Sequence, residues 1–184
     1  MTVRRIFWRA LTPLLILPLL SFGQGGTIGY KLDGKTFRFT DGKLEYHKSD
    51  GYISLTCERS EVVPDPTVPE EKKQVAVGMT IQLAKPETEL AGDHRSSTPD
   101  EMPTHFTWYE FVPTEDGKAK RVKEFLAGLD DGDESKMFIR LRIEKFGPPG
   151  SMIQGTFSGK LSDEDGRLHE ITEGVFSVPR IEIK

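Results

Sequence analysis

The sequence predicts an all-β fold, an antiparallel sandwich or flattened barrel of about eight or nine strands with room for one short helix. Three observations predict it. Apolar residues recur at every second position through most of the chain, the period of a strand with one buried face. Asp-Gly pairs at 33–34, 41–42 and 50–51 separate the early alternating segments, and this dipeptide suits the positive φ angles of a two-residue hairpin turn. The closing stretch GTFSGKLSDEDGRLHEITEGVFSV, residues 155–178, reads as two strands around an acidic tip.

The first 23 residues are expected to be a signal peptide. Arg4 and Arg5 give a basic start, and an apolar run follows that Arg9 interrupts. The uncharged part, Ala10 to Leu20, is shorter than the roughly 20 apolar residues a membrane span needs. Ser21 and Gly23 occupy the small-residue positions of a cleavage site, so cutting is expected after Gly23, with Gly25 as the fallback. No cysteine lies near the cut to carry a lipid. The expected product is one β domain, residues 24–184, exported to the periplasm or outside the cell, with no membrane span after cleavage. Losing Arg4, Arg5 and Arg9 leaves 22 basic residues against 29 acidic ones, a net charge of about −7. That balance disfavours nucleic acid and anionic membrane surfaces. The single cysteine, Cys57, excludes an intramolecular disulfide framework.

The strands follow in order. Ile28, Tyr30 and Leu32 alternate with Gly29 and Lys31; Phe37 and Phe39 alternate with Thr36, Arg38 and Thr40. Tyr52 to Cys57 is the next strand, with Ile53, Leu55 and Cys57 on one face, so Cys57 is expected in the core as a small hydrophobe. Residues 60–74 carry three prolines and many charges and are expected to be a loop. Val75, Val77, Met79, Ile81 and Leu83 form the clearest strand. The long polar segment Lys85–Pro103 is expected to be a binding loop, since long unstructured connections are usually functional or disordered.

Phe106 to Val112 is apolar on both faces, which suits a central strand or one that faces a ligand or partner. Val122, Phe125, Leu126 and Leu129 have helical spacing, so a short helix is preferred over Lys118–Leu129, with a return strand as the alternative. Met137, Ile139, Leu141 and Ile143 define another strand, closed by the turn Gly147–Gly150. Ile153, Phe157 and Leu161 point the next strand inward. The last strand is expected from about Leu168 to Val178, with a bulge or a crowded neighbour at Gly174. Pro179 is expected to confine the tail to an edge or terminus.

Candidate sites are few. No nucleophile elbow, zinc-protease motif or phosphate-cradling loop is present, and no catalytic residue or cofactor is expected. Phe106, Trp108, Tyr109 and Phe111, with His94 and His105 beside the long loop, form the candidate surface for a protein, a glycan or a small ligand. The acidic loops hold Asp130, Asp131, Asp133 and Glu134, then Asp163, Glu164 and Asp165. Calcium needs several oxygen ligands at set spacing, and neither loop completes the pattern. Solvated turn acids are the favoured reading. The functional expectation is a non-catalytic binding or structural module of the cell envelope; a lipocalin-like carrier of a small apolar ligand is the alternative, and a hydrolase comes third.

Several stretches resemble a group of uncharacterised secreted β-domains of bacterial envelope proteins. They are MFIRLRI (137–143), IQGTFSG (153–159) and ITEGVFSV (171–178), a pattern IxGTFxG…ITxGxF, together with GTIGYKLDGKTF (26–37) and MTIQL (79–83) followed by Ala91-Gly92. The resemblance implies an all-β fold and a place in the envelope, and no catalytic residues.

Overall fold

The computed structural model describes residues 25–64, 72–96, 105–113, 119–127 and 137–184. The expected signal peptide and Asp130, Asp131, Asp133 and Glu134 lie outside the described residues. The described residues form ten strands: β1 (Gly26–Leu32), β2 (Lys35–His47), β3 (Tyr52–Pro64), β4 (Lys72–Ala84), β5 (Gly92–Ser96), β6 (His105–Pro113), β7 (Ala119–Ala127), β8 (Phe138–Ile143), β9 (Met152–Ser162) and β10 (Leu168–Ile183). Eight of them close into an antiparallel barrel in the order β1, β2, β3, β4, β6, β7, β9, β10. The all-β expectation therefore holds, and the barrel is its form. Closure between β7 and β9 rests on one pair, Leu126 with Ser162. The rest of that edge of β9, Gly155 to Lys160, is already taken by β8, which in turn carries β5.

The core follows from period-two patterning read across the register. Leu44, Leu55, Ile81, Phe106 and Ala127 lie side by side around one layer. Cys57, Met79, Trp108 and Phe125 form the next. All of these are buried, and each large side chain contributes roughly 1.5–3 kcal/mol on leaving water. Tyr30 stacks on Phe37 and Phe39 at 5.3 and 5.9 Å and accepts a 3.1 Å hydrogen bond from Trp108 Nε1, so its hydroxyl is satisfied inside the core. The barrel interior is thus filled with side chains at mid-height.

One end of the barrel is sealed. Arg180, 3% exposed, lies between the rings of Tyr46 and Phe146, 5.1 and 4.4 Å from their centroids. Its guanidinium donates to the Gly147 carbonyl at 2.6 Å and pairs with Glu87 at 2.7 Å. A buried arginine is tolerated only with such partners, and these tie the 3₁₀ turn at Glu87–Glu89 and the Gly147–Gly150 turn across the barrel base.

Several expectations are corrected. The preferred helix over Lys118–Leu129 is strand β7 in its described part. Its ladder to β6 skips a residue, with Glu110 opposite Lys123 but Phe111 opposite Arg121. That bulge breaks the period of two and leaves a spacing that mimics a helix. Asp41-Gly42 is no turn but lies inside β2. Gly26 pairs with Gly42 and Ile28 with Phe39, so β2 bulges at Thr40–Asp41. A Cβ on Gly42 would come within 2.6 Å of the Ile28 side chain, so glycine serves close approach here. The expected loop 60–74 is sheet in its described part, β3 running to Pro64 and β4 starting at Lys72. The Lys85–Pro103 segment contains the 3₁₀ turn and β5, with 97–104 outside the described residues. Finally, β10 runs on through Pro179, and Arg180 to Ile183 pair in parallel with Leu44 to His47.

Candidate functional site

At the end opposite Arg180 the apolar layers stop. The layer above Trp108 and Phe125 reads Arg59, Val77, Glu110, Lys123, and Glu61 follows beside Val75. Charged side chains thus stand in the inward phase of strands whose lower inward positions are apolar. The mouth walls are of unequal height. The β3–β4 and β6–β7 ladders extend to Pro64–Lys72 and Pro113–Ala119, whereas the β1–β2 hairpin turns at Asp33-Gly34 and the β9–β10 hairpin at Asp163–Gly166. The result is a one-sided cleft of about 560 Å³. Phe37, Trp108 and Phe125 floor it, Val75 and Val77 back it, and the two hairpin tips form its low lip.

His169 stands on that lip. Its ring lies flat on Phe125, centroids 3.7 Å apart, and Phe125 stacks on Trp108 at 4.8 Å. Nδ1 donates to Asp33 Oδ2 at 2.7 Å, and Nε2 sits 3.3 Å from Asp163 Oδ2. Carboxylates only accept, so both contacts are hydrogen bonds when the ring carries both protons. Asp33 also receives the Glu170 amide at 2.9 Å. Desolvation works against its charge, yet the bonds from His169 and Glu170 prevail and hold its carboxyl below the usual range. Asp163 is similar. Desolvation is outweighed by the amides of Arg167 (2.7 Å) and Asp165 (3.0 Å) and by His169, and its carboxyl too is lowered.

Arg59 shapes the cleft side. The β2–β3 ladder stops at the Lys43–Thr56 pair, next to the β2 bulge at Thr40–Asp41, beyond which β2 pairs with β1. Arg59 spans the opening, donating to the Arg38 carbonyl at 2.6 Å, pairing with Glu61 and lying over Phe37 and Phe39 at 5.8 and 5.1 Å. Glu110 and Lys123 pair at 3.6 Å across β6 and β7.

The expected site residues separate. Phe106 and Trp108 point into the core, Trp108 forming cleft floor. Tyr109 and Phe111 lie on the outer face, half-buried and 4.8 Å apart, Tyr109 donating to Glu58 at 2.9 Å. Burial, then the Glu58 bond, push the Tyr109 phenol up. This strand is central, flanked by β4 and β6's other neighbour β7. His94, half-buried on β5, hydrogen-bonds the Leu90 carbonyl at 2.8 Å. His105 starts β6, and burial lowers its pKa. Among the described residues no group of three or more histidine, cysteine or acidic side chains is placed to hold a metal. Asp163 instead braces its own turn, and Asp165 lends that turn only its backbone amide in these bonds. Cys57 is buried, which pushes its thiol up.

The sequence reading missed Asp33, His169, Arg59, Glu61, Glu110 and Lys123. A signal for the last four was present: charges continuing an apolar period-two series. Compared with protein-family models, curated proteins and solved structures, the chain matches none significantly.

Proposed function

We propose that this chain is an exported, non-catalytic β-barrel module that takes a small ligand with an apolar body into its mouth. One observation carries the reading: the barrel is filled at mid-height and closed at one end by Arg180, while the other end opens into a cleft of about 560 Å³ with an aromatic floor. Concave, apolar-floored sites with a few polar groups are where small molecules bind. A non-catalytic role is supported by the commitments of the groups present. His169 has both ring nitrogens against carboxylates, and the Cys57 thiol is buried with its pKa raised. Export is supported by Arg4, Arg5, the apolar run and Ser21 to Gly23. Native mass spectrometry of the protein from its own host tests both parts. The expected species begins at Gln24, or within about three residues of it, and carries a small adduct that collisional activation removes. A cytosolic chain that retains Met1 contradicts export; an adduct-free barrel that stays so after incubation with host extract contradicts ligand binding.

A further inference from the structure

Seven carboxylate side chains line the cleft against three basic ones, Lys35, Lys123 and Arg167, and His169. The basic groups are largely engaged from within: Lys123 by Glu110, and Lys35 by the face of Phe37 at 5.1 Å. Arg59, just outside the lining, is paired with Glu61. On the low lip, Glu164 and Asp165 are exposed, and Asp33 and Asp163 flank His169. A concave wall with an excess of carboxylates focuses a negative potential into the opening. The floor beneath it is apolar and aromatic, lined by Phe37, Trp108 and Phe125. We propose that the mouth selects organic cations, molecules with an apolar or aromatic body and an ammonium head, the body lying on the Trp108–Phe125 floor and the head among the lip carboxylates.

This rests on the reading of the mouth as a ligand cleft, and the test separates the two. Trp8 and Trp108 are the chain's only tryptophans, so Trp8→Phe in the full chain leaves Trp108 as the sole reporter. Three probes share one ring body: benzyltrimethylammonium, benzyl alcohol and phenylacetate. Each is titrated at low and at high salt, following Trp108 emission and, in parallel, heat. The expected result is saturable binding of the cation about tenfold or more tighter than the alcohol, a gap that narrows as salt screens the lip. The double variant Glu164→Gln, Asp165→Asn, altering only exposed side chains, should weaken the cation about twofold to fivefold and leave the alcohol unchanged. Phenylacetate or benzyl alcohol binding as tightly as the cation overturns the charge selectivity and leaves the cleft standing. Failure of all three probes to bind overturns both.

Discussion

His169 joins two hairpin tips that are far apart in sequence: Asp33 lies in the first turn, Asp163 in the last. Both carboxyls are held below the usual carboxylate range in the folded chain by the bonds they accept. The sign follows from linkage: a depressed acid contributes stability that is complete above its unfolded value and lost as pH falls through the folded one. Wild-type protein should therefore lose urea resistance more steeply than His169→Gln as pH falls below about 4, and the variant should already be the less urea-resistant of the two at pH 6. Asp33 is half exposed, so solvent screens its share of the difference. Parallel profiles for the two proteins would show that the histidine is merely packed on Phe125. No periodicity points to this arrangement. A histidine bonding a residue 136 positions away leaves no mark on local spacing, whereas Cys57, alternating with Ile53 and Leu55, was legible as core.

The hairpin β9–β10 explains the closing motif in physical terms. Gly155 pairs directly with Phe176, and Gly174 with Phe157. In each pair the ring lies over the glycine: a Cβ on Gly155 would meet the Arg142 carbonyl oxygen and, at 2.5 Å, Phe176 Cζ, and one on Gly174 would meet the Phe157 carbonyl oxygen and, at 2.7 Å, Phe157 Cγ. The pattern IxGTFxG…ITxGxF is thus two reciprocal glycine–phenylalanine pairs, each ring filling the space a side chain would take. The bulge at Thr172–Glu173, with Glu173 at φ 52°, keeps the second pair in phase. Gly155→Ala should cost about 1–3 kcal/mol, as overpacking does, read as a lower urea midpoint with an unchanged m-value. An alanine accepted without loss would mean that the Phe176 ring and the Arg142 backbone both give way and the close pairing is incidental. Strands with unbroken alternation, such as Val75 to Leu83, were legible from sequence alone. Those whose register slips were not: the bulge in β7 produced a helical spacing, and the bulge in β2 placed Asp-Gly where no turn exists.

The whole molecule is asymmetric along the barrel axis. Arg180 and the rings around it close one end, apolar layers fill the middle, and a charged layer begins at Arg59, Glu110 and Lys123. That asymmetry depends on which residues share a layer, and layer membership needs the register between strands. The sequence shows each alternation but not the pairing of Arg59 with Val77 or of Glu110 with Lys123, so the all-β class was legible and the cleft was not. Of the candidate surface on Phe106 to Phe111, Trp108 belongs to the cleft floor while Tyr109 and Phe111 lie outside it. The central claim is that a small ligand enters this mouth, and energy transfer from Trp108 tests it most directly. In the Trp8→Phe chain, the neutral dye N-phenyl-1-naphthylamine should bind one to one, its emission rising as that of Trp108 falls in the same saturable curve. A dye signal that leaves Trp108 emission unchanged would place the bound molecule away from the aromatic floor and contradict the account.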